Sequence, residues 1–283
     1  MMKIAVLMAC FNRREKTLAC LAALMANALS KDHSIHVILA DDGSTDGTAA
    51  AVLARYPDAQ IISGDGSWFW NGGMHKAFER AMQGGYDAYL WLNDDTNLYP
   101  DTLMRLFDTW RQAKLRRGAD AIVVGSTQDP GTLELTYGGV VRAASWRPLT
   151  FRMIEPGDRA IECESMWGNC VLIPAAVALA IGNLDPRFKH SMGDVDYGLR
   201  ARKAGFGIFV MPGFAGTCST NSPKGTFEDA RVPLIQRLRK IAHPKGMPID
   251  SWRVLTRRHA GPLWFLYWVW PYFKVIATSI VRR

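Results

Sequence analysis

Two pairs of acidic residues follow apolar stretches whose composition is typical of buried β-strands. Asp94 and Asp95 end one such stretch, and Asp41 and Asp42 end another and begin a turn rich in glycine and hydroxyl side chains. Ligands of open α/β sheets bind outside the carboxyl ends of the strands, and hard divalent cations prefer oxygen ligands. We therefore expect the two pairs to share one site, which holds a metal-bound phosphate compound.

An acidic turn also has a purely structural use. Ser44, Thr45 or Asp46 is suited to cap the helix that follows Gly47, because short polar side chains accept hydrogen bonds from the free N–H groups of a helix N-terminus. Asp194 fits the same interpretation, since an acid in the first turn of a helix is favoured by the helix dipole. The acids therefore identify a site only if the fold brings them together.

The segments around these acids alternate between strand and helix. The apolar spacing predicts strands near residues 1–10, 35–40, 60–62, 88–92, 120–125 and 208–211, and helices at 18–29, 48–55, 73–82, 101–114 and 193–205. Strands separated by helices form parallel sheets, so the predicted fold class is α/β, with a Rossmann-like, doubly wound, mostly parallel sheet. Glycines, prolines and short apolar runs over 127–162 predict hairpins and an acceptor-facing insert.

Composition bounds the class of protein. The 283 residues are 48% hydrophobic and 21% charged, which argues against a disordered chain and predicts a folded protein with a sizeable core. The cysteines form no Cys-x-x-Cys pair and lack the nearby histidines of a zinc site, so we expect reduced core thiols in a cytosolic protein. They are Cys10, Cys20, Cys163, Cys170 and Cys218.

The net charge of +8 is concentrated near the C-terminus, because residues 232–283 hold ten lysines and arginines against one acid, Asp250. Within this part, residues 261–280 carry seven aromatic side chains and are followed by Arg282 and Arg283. Tryptophan, tyrosine and arginine prefer the bilayer interface. The segment therefore predicts peripheral attachment to a membrane surface.

We accordingly predict two units, an α/β domain over 1–225 and a basic, aromatic helical extension over 226–283 that lies on the inner face of the cytoplasmic membrane. The aromatic stretch nearly reaches the ~20 residues that span a bilayer, so a transmembrane helix and a plain core helix stay open as alternatives. Its aromatics cluster with aliphatic residues instead of alternating with the charges, which argues against nucleic acid as the partner.

Four segments together resemble the family 2 glycosyltransferases, in the order and spacing of that family. They are Asn12-Arg13 after the first strand, the turn at 41–48, the run Asn93-Asp94-Asp95 and the segment 193–200. The resemblance extends from residue 3 to about residue 221. It implies a GT-A fold for the first domain, a nucleotide-sugar donor, a Mg²⁺ or Mn²⁺ cofactor and inversion at the anomeric carbon.

The resemblance also implies which residues contact the donor. Asp42 is expected near the base or ribose, and Asp41 supports the turn around it. The segment 64–73 resembles the donor loop of a bacterial subset that includes rhamnosyltransferases. The remaining candidate donor contacts are Asn12, Asp65, Trp70, Asn71 and Gly72.

The metal motif departs from the usual pattern of the family. The family carries Asp-x-Asp where this chain reads Asn93-Asp94-Asp95. The resemblance therefore implies Asp95 as the direct metal ligand and Asp94 as a ribose or phosphate contact. A cation held there neutralises the charge that grows on the departing diphosphate.

A second departure lies in the catalytic motif, which usually reads Glu-Asp and reads Gly193-Asp194 here. The resemblance implies Asp194 as the base that takes the proton of the acceptor hydroxyl, and the missing acid keeps Asp196 as an alternative. Trp167 and Asn169 match the strand beside the acceptor, although a buried strand start explains them equally well. An inverting transfer needs no carboxylate nucleophile.

The expected function is transfer of a sugar, rhamnose among the candidates, from a UDP- or dTDP-linked donor to a hydroxyl of a glycan or lipid-linked saccharide in cell wall or polysaccharide biosynthesis. One alternative is a nucleotidyltransferase, which would carry an early glycine-rich phosphate loop, whereas the first strand here opens into Cys10-Phe11-Asn12-Arg13. The other is a catalytically silent, membrane-tethered nucleotide-sugar-binding protein, which the altered Asn93 and Gly193 would fit. The acceptor, the linkage and the oligomeric state stay open.

Overall fold

The computed structural model describes residues 2–27, 33–220 and 224–280. Arg282 and Arg283, and the end of the helix predicted over 18–29, lie outside the described residues. The strands are β1 (Met2–Cys10), β2 (His33–Asp41), β3 (Gln60–Ser63), β4 (Ala88–Leu92), β5 (Asn97–Leu98), β6 (Ala121–Gln128), β7 (Leu135–Tyr137), β8 (Gly139–Arg142), β9 (Phe151–Met153), β10 (Ile161–Glu162), β11 (Ser165–Met166), β12 (Cys170–Pro174) and β13 (Gly207–Thr217). The helices are α1 (Arg14–Met25), α2 (Thr48–Arg55), α3 (Phe69–Met82), α4 (Thr102–Arg117), α5 (Ala175–Ile181), α6 (Gly193–Lys203), α7 (Leu234–Ala242), α8 (Ile249–His259) and α9 (Trp264–Ile280).

A ten-stranded sheet has the order β10-β13-β6-β12-β4-β1-β2-β3, with β5 and β7 paired to β13 and β6. Strand β1 is parallel to β2 and β4, and β2–β3 and β6–β13 are also parallel, whereas β12 is antiparallel to both of its neighbours. The α/β class is confirmed, but the sheet is mixed rather than mostly parallel. The chain reaches β12 through the short strands β7 to β11 without a crossover helix, and an antiparallel neighbour requires none.

Alternate residues of β1 face opposite helical layers. Ala5 and Leu7 pack in a core with α3, α5 and α6, and Val6 and Met8 pack in a second core with α1, α2 and α4. A strand covered on both faces is apolar along its length, which is why β1 is buried from its third residue to its end. The five cysteines are free and buried, as predicted.

Helix α3 begins at Phe69, earlier than the predicted start at Gly73. The backbone N–H groups of Trp68 and Phe69 donate to Asp42 Oδ2 at 3.0 and 2.9 Å, so a side chain that follows β2 caps this helix from a distant part of the sequence. Gly73 then packs close to β1, because a Cβ there would lie 3.0 Å from that of Ala9.

The predicted C-terminal extension is helical and consists of α7, α8 and α9. Helix α8 packs on the α/β part through Phe188, Trp252 and Leu255. Helix α9 packs on α8, where the indole N–H of Trp252 donates to the Tyr267 carbonyl at 3.1 Å. None of the helices within the described ranges has the length and apolarity required to cross a bilayer. The boundary between residues 225 and 226 stays a prediction.

Candidate active site

The carboxyl ends of β2, β1 and β4 meet at one edge of the sheet. The loop after β1 contacts the residues that follow both neighbouring strands: the N–H of Thr45 donates to Asn12 Oδ1 at 2.8 Å, and Arg13 Nη1 donates to Asp94 Oδ1 at 3.0 Å and to Asp95 Oδ2 at 2.8 Å. The two acidic strand ends therefore lie at the same edge of the sheet, one on each side of β1.

Asp94 and Asp95 differ in their surroundings. Asp94 is buried, and burial raises its pKa to about 6 against the opposing effect of the Arg13 guanidinium. Its Oδ2 has no hydrogen-bond partner among the described residues. Asp95 is partly exposed, and Lys16 Nζ lies 3.9 Å from its Oδ2. The pair thus offers an uncommitted carboxylate oxygen beside two cationic side chains.

The acid pair fits one Mg²⁺ or Mn²⁺ ion. Carboxylate oxygens are ligands that both ions prefer, and Mg²⁺ in phosphate-binding sites is usually held by one or two carboxylates together with water and substrate phosphates. Over residues 2–27, 33–220 and 224–280, no group of three or more His, Cys, Asp or Glu side chains has metal-ligand spacing. The unpartnered Oδ2 of Asp94 suits such an ion, which would share the carboxylates with Arg13.

Asn93, at the first position of the acidic motif, both accepts and donates a hydrogen bond through its side-chain amide. Its Oδ1 accepts the indole N–H of Trp70 at 2.6 Å, and its Nδ2 donates to Asn169 Oδ1 at 2.7 Å. An ionised carboxylate only accepts hydrogen bonds, so an aspartate at this position could not donate to Asn169. The amide therefore connects the start of α3 to the segment before β12.

The carboxylates of Asp41 and Asp42 are directed at backbone N–H groups. Asp41 Oδ1 accepts the N–H of Ser44 at 2.9 Å, and Asp42 accepts three N–H groups of the segment 66–69 at 2.9–3.2 Å. Both side chains are buried. Asp42 therefore holds the predicted donor loop in place, while its contact with a base or ribose stays a prediction.

Asp65 and Trp70 lie on either side of the start of α3. Asp65 is exposed and accepts the N–H of Ser67 at 3.0 Å, so its side chain stabilises the local turn over residues 65–67. Trp70 is half-buried in the first turn of the helix, and its ring meets that of Trp91 edge to face with centroids 6.4 Å apart. The ring stands beside Asn93, which precedes the acid pair.

Asn71 accounts for the glycine in the Gly193-Asp194 motif. Its Nδ2 donates to the carbonyls of Asp185 and Phe188 at 3.1 and 2.7 Å, and these bonds fix the buried amide against the start of α6. A Cβ at Gly193 would lie 1.7 Å from Asn71 Oδ1. The glutamate that the family usually carries there therefore has no room. Gly72, the residue after Asn71 in α3, is half-buried.

Asp194 lies in the first turn of α6 and is partly buried. Its Oδ2 accepts the N–H of Gly168 at 3.0 Å and its Oδ1 accepts the N–H of Val195 at 2.8 Å. Burial raises the pKa of Asp194, and these two hydrogen bonds oppose the shift. A carboxylate with a raised pKa is better matched to accept a proton near neutral pH.

The segment 167–169 connects Asp194 to the acid pair. Asn169 is buried next to Gly168, and its Nδ2 donates to Cys218 Sγ at 3.1 Å. The Cys218 thiol in turn lies 3.5 Å from Asp95 Oδ1. Trp167 is half-buried at the other end of the segment. A continuous chain of contacts therefore links Asp194 to Asp95.

Asp196, the alternative base, has a different environment. It is fully buried and accepts hydrogen bonds from Arg200 at 2.8 Å, Arg258 at 2.6 Å and His259 at 2.9 Å. Burial alone would raise the pKa of Asp196, but the bonds from His259, Arg200 and Arg258 outweigh it and lower that pKa. Residues two positions apart on a helix point about 200° apart around its axis. Asp196 therefore faces α8 rather than the side of α6 that carries Asp194.

Left-handed backbone is concentrated around this site. Asn12, Phe69 and Met192 have φ values of 51°, 55° and 77°. They follow β1, begin α3 and precede α6, respectively. Residues other than glycine adopt this conformation at a cost of roughly 1–3 kcal/mol, and such strain is typical of functional sites. The three residues stand next to the segments that carry Arg13, Trp70 and Asp194.

The sequence patterns did not assign roles to three residues of this site. Arg13 was part of a motif, but its contact with both acids depends on β1 lying between β2 and β4. The sequence marks Asn93 only as a departure from the acidic motif and Cys218 only as a core thiol. A basic residue directly after the first strand, with acids after the next strands, was the one available signal.

The chain matches the family model described as Glycosyl transferase family 2 over residues 5–167. A relative in Mycobacterium tuberculosis, named N-acetylglucosaminyl-diphospho-decaprenol L-rhamnosyltransferase, is 28% identical over 210 residues, which cover 67% of this chain and 68% of the relative. Galactofuranosyltransferase GlfT2 of Mycolicibacterium smegmatis is 26% identical over 241 residues, which cover 75% of this chain and 36% of that protein.

Among solved structures, S. aureus TarS resembles 90% of this chain with a TM-score of 0.54 at 15% sequence identity, and the match covers 42% of the TarS chain. A structure of TarS residues 1–349 in complex with UDP gives the same TM-score and identity and is covered to 70%. These likenesses support the fold, which is consistent with GT-A. Because the family model spans more than half of its length, the chain belongs to glycosyl transferase family 2.

Proposed function

We propose that this glycosyltransferase inverts the anomeric carbon as it moves a sugar from a UDP- or dTDP-linked donor to a hydroxyl of a glycan or lipid-linked saccharide. The observation that carries the proposal is the chain of contacts from the Arg13–Asp94–Asp95 cluster to Asp194. It brings cationic and carboxylate groups suited to a diphosphate close to a carboxylate suited to an acceptor.

The relatives support the finer choices. The M. tuberculosis protein is named as an L-rhamnosyltransferase that acts on a diphospho-decaprenol saccharide, which makes rhamnose and a lipid-linked acceptor the leading candidates. The TarS structure in complex with UDP supports a nucleoside diphosphate as the leaving group. Cell wall or polysaccharide biosynthesis is therefore the proposed process.

In the proposed reaction, Asp194 accepts the proton of the acceptor hydroxyl as the acceptor oxygen bonds to the anomeric carbon. The bond between that carbon and the diphosphate oxygen breaks, and the diphosphate leaves with the electron pair on the opposite face. Each oxygen of Asp194 accepts one backbone N–H, which leaves lone pairs free for the hydroxyl. Arg13 and Lys16, beside Asp95, stabilise the negative charge on the diphosphate.

Asp95, with Asp94, would hold Mg²⁺ or Mn²⁺. When bound, such an ion supplies further positive charge to the diphosphate oxygens. Asp94 contributes a buried oxygen that has no hydrogen-bond partner in the described ranges, and Arg13 keeps both carboxylates oriented.

On the donor side, Asn12, Asp41 and Asp42 shape the loops that receive the nucleotide, and Asp65 lies at the exposed edge of that region. Trp70 offers an aromatic surface to the sugar or base. Further donor contacts are assigned to Asn71, Gly72 and Asp94. On the acceptor side, Trp167 and Asn169 line the approach to Asp194.

The proposal includes peripheral contact of α9 with the inner face of the cytoplasmic membrane. Large apolar side chains of this helix are exposed, and they include Phe265, Leu266, Val269, Trp270 and Phe273. A helix that leaves an aromatic face uncovered next to basic residues is suited to the bilayer interface. Such contact would bring the active site to a lipid-linked acceptor.

Nucleotide binding and turnover test the proposal separately. Thermal shift with UDP, dTDP and GDP, with and without Mg²⁺ or Mn²⁺, is expected to reveal stabilisation by UDP or dTDP that the metal increases. Diphosphate release from UDP- and dTDP-sugars is then expected to depend on an added saccharide acceptor. Tight nucleotide binding without turnover on any acceptor would favour a silent binding protein, and absence of nucleotide binding would contradict the proposal.

A further inference from the structure

A cavity of about 450 Å³ lies on α8, apart from the strand ends that form the candidate active site. Helix α8 contributes one stripe of residues to its wall, and the loop before α6 contributes Arg187. The residues from the helix are Asp250, Arg253, Val254, Arg257 and Arg258, which recur at three- and four-residue spacing. Four arginines and one aspartate therefore surround a single hollow.

The four arginines are organised in two ways. Arg258 is held inside by Asp196 and Asp185, at 2.6 and 2.8 Å, and Arg187 pairs with the same Asp185 at 2.6 Å. Arg253 and Arg257 have no carboxylate partner among the residues that the structure describes. The cavity is thus lined by two guanidinium groups that carboxylates hold, and by two that have no such partner within the described part of the chain.

Arg253 connects the wall of this cavity to α9. The Arg253 guanidinium lies over the Trp268 ring, 5.9 Å from its centroid, as a cation–π contact. Trp268 Nε1 donates to the Ile249 carbonyl at 3.2 Å, which fixes α9 against the start of α8. Trp268 therefore lies on the face of α9 that packs on α8, whereas Trp270 and Phe273 lie on the exposed face of the same helix.

We propose that this cavity binds the phosphate of an anionic phospholipid headgroup, while the exposed face of α9 enters the interfacial layer of the same membrane. The guanidinium fork matches phosphate oxygens with two parallel hydrogen bonds, and the positive lining complements the charge of the headgroup. The exposed apolar stripe of α9, the helix that packs on this wall through Trp268, favours a phosphate that is attached to a bilayer over one that is free in solution. This inference rests on the proposed membrane contact and adds a defined headgroup site to it.

Flotation with vesicles of phosphatidylcholine alone, and with added phosphatidylglycerol, tests the site on the full chain. The charge-removing variant is Arg253→Gln/Arg257→Gln, and the charge-preserving variant is Arg253→Lys/Arg257→Lys. Arg111→Gln/Arg116→Gln on α4 is the matched control, because both arginines are exposed and far along the chain from α8. Thermal melting verifies that each variant is folded.

We expect the wild-type protein to prefer vesicles that contain phosphatidylglycerol. The glutamine variant should bind them roughly 25-fold more weakly, from about fivefold per arginine near an anionic surface. The lysine variant should also lose affinity, because lysine lacks the planar fork. The α4 control should bind like the wild type, and glycerol phosphate should not raise the melting temperature of the protein.

Four results would overturn the inference. If the lysine variant binds like the wild type, only general charge is involved. If the glutamine variant binds like the α4 control, the two arginines of the cavity have no specific role. Equal binding to both vesicle types leaves the membrane contact of α9 in place but removes the headgroup site. Stabilisation by glycerol phosphate without flotation would identify a soluble phosphate ligand instead of a lipid, and would contradict the membrane contact as well.

Discussion

Asp194 derives its suitability as a base from two opposing local effects. Partial burial disfavours its charged form and raises its pKa, while two backbone N–H groups keep the carboxylate oriented. Below the raised pKa the side chain is protonated and cannot accept a proton, and above it the side chain is ready to do so. The turnover rate, measured as a function of pH, is therefore expected to rise as the pH increases through that pKa and to level off above it.

Arg13 and a metal ion compete for the same carboxylates, so the Arg13→Gln variant should bind Mn²⁺ more tightly in the absence of nucleotide. Loss of a positive charge this close to Asp94 and Asp95 predicts an affinity gain of about tenfold, although turnover should fall because the diphosphate loses a partner. Electron paramagnetic resonance of free Mn²⁺ measures the affinity. Arg14→Gln is the control, because Arg14 pairs with Glu15 instead of the acid pair. Unchanged or weaker Mn²⁺ binding by Arg13→Gln would contradict this account.

Gly193 is required by its neighbour rather than by its own backbone angles. The Gly193→Ala variant should be destabilised by about 1–3 kcal/mol, as for other overpacked sites, because its Cβ would overlap Asn71 Oδ1. Urea unfolding measures the loss. In a double-mutant cycle, Asn71→Ala should relieve part of the effect of Gly193→Ala. Additive losses in the two single variants would mean that the overlap is not the cause.

The contact between α6 and α8 depends on a buried ion-pair network around Asp196. Asp196→Asn should lower the free energy of unfolding by about 3–5 kcal/mol, because it leaves Arg258 and Arg200 without their shared carboxylate. The pH dependence of turnover in the folded fraction should not change. Asp108→Asn breaks only an exposed pair on α4 and should cost about 1 kcal/mol or less. A shifted pH profile in Asp196→Asn would instead support Asp196 as the base.

The elements also explain which parts of the fold could be predicted. Helix α2 and strand β4 were predicted at their observed bounds because their signals are local: a glycine before the helix, and an apolar run that ends in acids. The start of α3 was missed because Asp42, which caps it, lies in another part of the sequence. The antiparallel direction of β12 depends on the path of β7 to β11, which the composition of that segment does not specify.

The site shows the same division between local and long-range signals. Acids at strand ends were recognisable, and the fold brings them together. The partners that decide their state were not, because Arg13 contacts Asp94 across a strand boundary and Asp196 meets Arg258 between helices 62 residues apart in the sequence. Two acids that differ by two positions in one helix therefore have different surroundings, which no spacing rule indicated.

At the level of the whole molecule, the basic charge and the exposed aromatic residues lie on the same C-terminal helices. The Trp270→Ser/Phe273→Ser variant should bind phosphatidylcholine vesicles roughly tenfold more weakly or worse, because two large apolar side chains no longer enter the interface. Leu115→Ser/Leu179→Ser removes two side chains that are even more exposed, on α4 and α5, and serves as the control. Equal flotation of both variants and the wild type would contradict membrane contact through α9.

The central claim is that a nucleotide sugar bound near Asp95 reacts with an acceptor hydroxyl that Asp194 deprotonates. Its most direct test follows the anomeric configuration of the product by NMR in the wild type, Asp194→Asn and Asp196→Asn, with nucleotide binding measured in parallel. The account predicts an inverted product from the wild type and from folded Asp196→Asn, and a loss of about 10²–10⁴ in turnover for Asp194→Asn with nucleotide binding retained. A product of retained configuration, or near-normal turnover by Asp194→Asn, would contradict it.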